Sequence, residues 1–309
     1  MILYDATVIG GGPAGITASL YLARSGCNVL LCEKLTAGGQ LLQTEKLENY
    51  PGFPDGIKGY ELADVLAKHL QNLKIDKNNN SVIKISKNND NFLLDISGTE
   101  VLSRIIIVCS GAQHKKLLID REEELVGRGV SYCALCDGNF YRGQDVAVVG
   151  GGNAALEESL YLSKIVNKVH LIHRRDSFRA LKIYQDRILE NTDKIIIHTD
   201  SVITKLCGEN GLSGVEIKNL KTDNMEHLGV TGLFIYVGFS PNTSFLPSDV
   251  ELDKQGFIIT DCEMRTNVPG IFAAGDIRSK LCRQAITAAG DGATAAQSAF
   301  LFLEQNYAR

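Results

Sequence analysis

The sequence predicts an α/β protein built from two Rossmann-like, three-layer dinucleotide-binding domains. Three observations carry that expectation. A short apolar run leads into Gly10-Gly11-Gly12-Pro13-Ala14-Gly15, and the same plan recurs at Gly150-Gly151-Gly152-Asn153-Ala154-Ala155, an offset of 140 residues. Each turn is followed by a helical period and then by a second apolar run, the setting that a dinucleotide turn requires. At 309 residues the chain also exceeds the size at which one core usually keeps growing.

In the first unit, Ala6 to Ile9 reads as a strand. Ile16 to Ser25 reads as a helix ended by Gly26, and Asn28 to Cys32 as the strand that delivers Glu33. Gly10 makes the tight turn, Gly12 lets backbone N–H groups approach a pyrophosphate, and Gly15 lets helix and strand pack closely. Glu33 stands where a carboxylate accepts hydrogen bonds from ribose hydroxyls. Ala37-Gly38-Gly39-Gln40-Leu41 and Glu48-Asn49-Tyr50-Pro51-Gly52-Phe53-Pro54 have the composition of connecting loops. Gly59 to Leu73 has amphipathic helical spacing, and two Asn-rich clusters flanking Val82 to Ile85 read as hairpin turns. Ile105 to Cys109 returns to the sheet.

The second unit opens with Val146 to Val149, continues through a helix carrying Leu156, Leu160 and Leu162, and reaches the strand Val169 to Ile172. A meander is expected from Ile195 to about Val230, with Asn210-Gly211 closing a two-residue hairpin. Leu233 to Val237 closes the unit. Near the carboxyl end, Ile271 to Ala274 leads through Gly275-Asp276 to an Ala-rich helix beginning near Arg283-Gln284-Ala285.

Composition narrows the function classes. With 44% hydrophobic and 22% charged residues the chain matches a folded globular protein and not a disordered one. A net charge of -4 offers no surplus to neutralise phosphates, so nucleic acid is not an expected partner. No apolar stretch approaches 18 residues, and Ala6-Thr7-Val8-Ile9 runs straight into the first glycine turn. Neither a membrane span nor a targeting peptide is expected. Six of the eight cysteines are scattered singly, which suits a reducing, cytoplasmic compartment.

The internal repeat permits a direct comparison. Glu33 lies 18 positions after Gly15, and the residue 18 positions after Ala155 is His173. The ribose-binding acid is replaced by His173-Arg174-Arg175, with Arg179 close behind. A carboxylate repels a 2′-phosphate and guanidinium forks bind one, so the second site is expected to prefer NADPH. Cys133-Ala134-Leu135-Cys136-Asp137 supplies a dithiol, and a flavin is the chemical intermediary that accepts a hydride and passes two electrons to sulfur. The first site is therefore assigned to FAD. A Cys-x-x-Cys is also half of a zinc site, but His69, His114, His170, His173, His198 and His227 show no ligand spacing, so no metal is expected.

Taken in order, the two glycine turns, Ala37 to Leu41, Glu48 to Gly52, Cys133 to Gly138, His173 to Ala180, Gly275-Asp276 and Arg283-Gln284-Ala285 resemble the low-molecular-weight thioredoxin reductases, two-dinucleotide-binding flavoprotein disulfide reductases. The resemblance covers nearly the whole chain. It implies an FAD domain of residues 1–114 and 241–309, into which an NADPH domain of residues 115–240 is inserted with the dithiol. It further implies a homodimer that reduces thioredoxin with NADPH. FAD contacts carried over are Gly10, Gly12, Pro13, Ala14, Gly15, Glu33, Gly39, Gln40, Leu41, Asn49, Asp276, Arg283, Gln284 and Ala285. NADPH contacts are Gly152, Asn153, Ala154, His173, Arg174, Arg175 and Arg179. By the same resemblance Cys136 faces the flavin, Cys133 attacks the thioredoxin disulfide, and Asp137 exchanges the protons.

Three positions depart from the family pattern: Ser110, Asn153 and Phe239 stand where Thr, Asp and His are frequent. A dithiol oxidase of the same fold would need no NADPH, and a ferredoxin-linked thioredoxin reductase would be expected to lose the arginines. Because both connections between domains lie near His114 and Gly238, the inserted domain is expected to pivot on them.

Overall fold

The computed structural model describes residues 2–44, 46, 47 and 49–307. The chain forms two compact units, one of Met1–Gln113 with Ser240–Arg309 and one of His114–Phe239.

The larger unit begins with β1 (Leu3–Ile9), α1 (Pro13–Arg24) and β2 (Val29–Cys32). A short ribbon of β3 (Lys46–Leu47) and β4 (Ile57–Lys58) precedes α2 (Gly59–Lys68). Then come β5 (Ile75–Asn78), β6 (Val82–Asn88), β7 (Asn91–Ile96) and β8 (Thr99–Val108). Helix α1 starts at Pro13, earlier than the apolar period alone indicated, because proline's fixed φ and missing N–H suit a first helical position. Helix α2 stops at Lys68, short of the expected Leu73. The hairpin turn between β6 and β7 falls on Asn89 and Asp90, with Asn89 at φ 52°; the earlier Asn-rich cluster closes no hairpin, because β5 pairs with β2 at one edge of the sheet and β6 lies at the other.

In the sheet the order is β5-β2-β1-β8-β7-β6. Strand β8 is long enough to serve two partners on one edge. Its first half pairs antiparallel with β7, and its second half pairs parallel with a strand from the far end of the chain. Side chains alternate by face: Ile105, Ile107 and Cys109 pack with α1 and the last helix, and Ile106 and Val108 pack on the other side with Phe245, Val250 and Ile258.

The chain leaves this unit along β9 (Ala112–His114). The smaller unit then contains β10 (Val130–Ser131), α3 (Ala134–Asp137), β11 (Asp145–Gly150), α4 (Asn153–Leu162), β12 (Lys168–Ile172), α5 (Lys182–Leu189) and β13 (Ile195–His198). After these come β14 (Ser201–Cys207), β15 (Gly214–Asn219), β16 (Met225–Leu228) and β17 (Gly232–Tyr236). A parallel sheet of order β10-β17-β11-β12-β13 is the frame. Val146 and Val148 face α4 on one side, and Ala147 and Val149 face the meander on the other.

Two expectations are corrected here. Ile195 to His198 does not open the meander; it is the parallel edge strand beside β12, so the antiparallel meander is β14-β15-β16 alone. Asn210-Gly211 does not close a two-residue hairpin, because β14 ends at Cys207 and β15 begins at Gly214. The reversal is carried by Gly208, at φ 121°, where a Cβ would lie 2.0 Å from the Gly211 carbonyl oxygen.

The chain returns along β18 (Phe239–Pro241), which pairs with β9, so the two crossings run side by side. Strand β19 (Ile271–Ala273) then joins β8, and α6 (Ala285–Asn306) closes the chain against α1.

Candidate functional site

In the larger unit the chain turns sharply as it leaves β1. Gly10 has φ 109°, and a Cβ there would meet the Cys109 carbonyl oxygen at 2.3 Å; at Gly15 a Cβ would meet the Gly10 carbonyl oxygen at 1.8 Å. Only glycine fits either place. Helix α1 that follows has Gly12 at its N-cap, no side-chain cap and no acidic residue in its first turn. Its first N–H groups, Ala14 and Gly15 among them, are thus left to an anion, the arrangement that binds a pyrophosphate.

Glu33 stands beside this turn. Its Oε2 accepts from the Gly11 N–H at 2.7 Å and its Oε1 from the Leu35 N–H at 3.0 Å. Each oxygen keeps a lone pair for a ribose hydroxyl. The Gly38-Gly39 loop folds onto the turn: Gly38 N–H donates to the Gly11 carbonyl at 2.7 Å, and a Cβ on Gly39 would lie 3.1 Å from Gly12 Cα. Residues Gly39–Gln43 form a 3-10 turn, so this stretch is not the plain connector its composition suggested. That turn buries Leu41 and aims Gln40 Nε2 at the Ala112 carbonyl. Asn49 Nδ2 donates to Gln284 Oε1 at 3.1 Å, which brings the second loop to the start of α6; Glu48 lies outside the described residues.

Around α6, Ala285 is the first helical residue and Gln284 the N-cap, whose N–H donates to Thr287 Oγ1 at 3.2 Å. Arg283 sits over the Phe257 ring at 4.1 Å and donates to the carbonyls of Arg278 and Lys280, both at 3.2 Å. Asp276 Oδ1 is buried with no hydrogen-bond partner among the described residues. Burial pushes this carboxyl up to about 6, against the pull of Lys280 and Arg283. A buried acceptor left open beside an uncapped glycine turn fits a ligand that brings both phosphate and hydroxyl groups, as FAD does.

The smaller unit repeats the construction with different chemistry. Gly150 has φ 153°, and a Cβ at Gly151 would meet the His173 ring at 2.1 Å. Gly11 stands against Glu33 in the same manner, so the repeat holds in space. Gly152 has open space in front of it, and α4 also lacks a side-chain cap and first-turn acid. Asn153 Oδ1 accepts from the Leu181 N–H at 2.8 Å, and Arg179 N–H donates to the Gly151 carbonyl at 2.8 Å. These two bonds lay the arginine loop along the glycine turn, with Ala154 exposed beside it.

Arg174, Arg175 and Arg179 are exposed, and none has an ion-pair partner among the described residues. The acid of the loop, Asp176, is drawn to Ser177 and Lys221 instead. His173 is buried, stacked on Phe178 at 5.3 Å and within 3.1 Å of the Ser177 carbonyl oxygen through Nε2. Burial, with the arginines adding, holds its pKa below the ordinary value. It braces the turn as a neutral ring, and the three guanidiniums are what face solvent.

The dithiol lies in the same unit. Cys133 and Cys136 are joined as a disulfide at the start of α3, with Cys133 half-buried and Cys136 buried. Cys133 is the N-cap, and its Sγ accepts from the Cys136 N–H at 3.2 Å. A helix-end N–H aimed at sulfur favours thiolate once the bond is reduced. Ser131 Oγ donates to Asp137 Oδ2 at 2.6 Å and accepts from the Cys133 N–H at 3.1 Å. Tyr236 Oη accepts from the Ala134 N–H at 2.6 Å. Glu158, on α4, has its carboxyl pushed up to about 7 by burial with Glu157 adding, and its charge is felt at Tyr236. Ser131, Tyr236 and Glu158 carry no motif that sequence reading could have singled out.

Phe239, one of the departures, packs on His114 with ring centroids 4.3 Å apart; burial lowers the His114 pKa to about 4.

Comparison with known proteins agrees with this geometry. Residues 4–292 match the pyridine nucleotide-disulphide oxidoreductase family. A thioredoxin reductase of Streptomyces coelicolor is 42% identical over 302 residues, covering 97% of this chain and 94% of that protein. A thioredoxin reductase of Rickettsia typhi is 42% identical over 303 residues, covering 96% and 97%. Among solved structures, thioredoxin reductase from Streptococcus pyogenes superposes with a TM-score of 0.91 at 44% identity, covering 98% of this chain and 99% of that one.

Proposed function

The chain belongs to the pyridine nucleotide-disulphide oxidoreductases, and on that premise we propose that it reduces the disulfide of a thioredoxin with electrons from NADPH. The family uses a flavin and a nicotinamide nucleotide; we assign FAD to the larger unit and NADPH to the smaller. The observation that carries the reading is the Cys133–Cys136 disulfide, set in the same unit as a dinucleotide turn rimmed by Arg174, Arg175 and Arg179 without acidic partners.

FAD, when bound, supplies the two-electron relay between nicotinamide and disulfide. The protein's own groups do the rest. The uncapped first turns of α1 and α4 hold the pyrophosphates, Glu33 the ribose, and the arginines the 2′-phosphate. In the reduced state the half-buried Cys133 is the thiol accessible to an external disulfide. Cys133 forms the mixed disulfide and frees one thioredoxin thiol; Cys136 then attacks the Cys133 sulfur, which re-forms Cys133–Cys136 and releases the second, and the bonded pair Ser131–Asp137 lies within two residues of one sulfur or the other to take and return the proton. The assembly we propose is a homodimer in the cytoplasm; the six remaining cysteines are unbridged, as a reducing compartment requires.

The same arginines speak against a ferredoxin-linked or purely oxidase reading, neither of which calls for a 2′-phosphate site. The test is steady-state turnover of the purified flavoprotein with NADPH and a thioredoxin, scored against NADH and against oxygen. Thioredoxin reduction with a strong NADPH preference is expected. Turnover with oxygen that needs no nicotinamide would overturn the proposal.

A further inference from the structure

A charge knot near the carboxyl end has no task in the reaction so far described. Asp291, on α6, directs a single oxygen, Oδ2, at three donors: the Gly275 N–H at 3.1 Å, Arg278 Nη1 at 3.0 Å and Lys280 Nζ at 2.7 Å. The three side chains are 12%, 11% and 9% exposed. Lys280 also donates to Thr287 Oγ1 at 3.2 Å, and Arg278 Nε to Thr260 Oγ1 at 2.7 Å. Two cations on one carboxylate leave the knot with a net positive charge in a nearly dry place. Stability alone does not favour such an arrangement over apolar packing.

The knot sits on the turn that presents Asp276. Gly275 has φ 81°, and a Cβ there would lie 2.9 Å from the Ala14 Cβ; the residue after Asp291, Gly292, approaches the Ala14 carbonyl so closely that a Cβ would meet it at 2.2 Å. Asp291 therefore ties the turn before Asp276 to the body of α6, and the residues on either side of that tie, Gly275 and Gly292, lie against the start of α1 at Ala14. Asp276 Oδ1 waits without a partner at that junction.

We propose that Asp291 and Lys280 are positioning residues of the flavin subsite: Asp291 fixes the Gly275-Asp276 turn, and the opposed charges of the pair set how Asp276 meets a ligand hydroxyl. The inference rests on the assignment of FAD to this unit. The groups acting on Asp276 support it. Burial raises its carboxyl to about 6, Lys280 and Arg283 oppose the rise, and Asp291 adds to it. Arg283 is itself influenced by Asp276 and Asp253, and the buried Cys109 thiol is held protonated by burial with Asp291 adding. Removing Asp291's charge must therefore lower the pH at which Asp276 ionises, and removing Lys280's must raise it.

The test uses the holoenzyme. Release of FAD after dilution is followed by its fluorescence from pH 5 to 8 in wild type, Asp291→Asn, Lys280→Met and Asp276→Asn. Wild type is expected to change its release rate with a midpoint near pH 6. Asp291→Asn should move that midpoint down and release FAD at least tenfold faster at pH 7.5, Lys280→Met should move the midpoint up, and Asp276→Asn should flatten the profile. Shifts in the same direction, a profile that persists in Asp276→Asn, or variants within twofold of wild type would overturn the inference. A loss of folding common to the variants cannot produce opposite shifts. A wild-type preparation carrying no flavin removes the FAD assignment and this proposal with it, whereas a flavin-loaded wild type with unresponsive variants removes this proposal alone.

Discussion

Glu33 and His173 occupy the same place in the two units, each against the middle glycine of its turn, and they offer a nucleotide opposite things. On the proposed reading the carboxylate would serve ribose hydroxyls and repel a 2′-phosphate, and the buried imidazole would leave the field to Arg174, Arg175 and Arg179. Charge-assisted contacts contribute about 1.5 to 3 kcal/mol each, so two arginines supply roughly 3 kcal/mol even at the low end. Replacing Arg174 and Arg175 together by Ala should therefore lower the NADPH to NADH ratio of kcat/KM by about a hundredfold or more, with NADH little changed. An unaltered ratio in the double variant would remove the basis for the NADPH assignment. The exchange of Glu33 for His173 was legible because a repeated fold preserves spacing. The role of His173 was not: whether a ring folds under the turn or reaches a ligand depends on Phe178 and Ser177, whose positions are set by the loop's tertiary bonds.

At the scale of elements, the packing of α1 on α6 depends on small residues that let the backbones touch. Two glycines of α6 separate packing from helix propensity. At Gly292 a Cβ would sit 2.2 Å from the Ala14 carbonyl oxygen, and at Gly290, one face round, it would meet nothing within 4 Å. Gly292→Ala should push the helices apart at a cost of about 1 to 3 kcal/mol and loosen the turn at Ala14 with it. Gly290→Ala should stabilise by about 0.5 to 1 kcal/mol, since only the flexibility of glycine is lost. Thermal unfolding of the two variants, with retained flavin as a second readout, checks the pair; equal effects would show that α6 does not depend on this contact. Elements with a strong period, such as β1, β11 and α6, were legible in sequence because burial of one face or both dictates them. The edge strand Ile195–His198 and the six-residue reversal after Cys207 were not. Each is decided by a neighbour distant in sequence: β12 beside the edge strand, and the Arg128 carbonyl that takes the Leu212 N–H at 2.8 Å.

For the whole molecule, the proposed function asks one flavin to serve two partners held by a single unit. Within the smaller unit Tyr236 links them: its carbonyl oxygen lies against Gly150, where a Cβ would be 2.5 Å away, and its phenol oxygen holds the Ala134 N–H beside the disulfide. The glycine turn of the proposed NADPH site and Cys133–Cys136 are thus joined through one residue inside a single packed unit, and on the proposed reading nicotinamide and disulfide reach one ring in turn. The unit is joined to the rest by two crossings that pair with each other, β9 and β18, bordered by Gly111 at φ 66° and Gly238 at φ 114°. Paired connections flanked by glycines suit a hinge that turns the unit without unfolding it. We expect NADPH to meet the flavin in one pose, and the disulfide to meet it in another that also frees Cys133 for thioredoxin. A covalent cross-link between the two units should spare at most one half-reaction. Flavin bleaching by NADPH and disulfide reduction by prereduced flavin, measured separately and anaerobically, would not both survive, and steady turnover should fall to that of the uncross-linked fraction. If fully cross-linked protein cycles at its normal rate, both partners must reach the ring at once and the pivot is wrong.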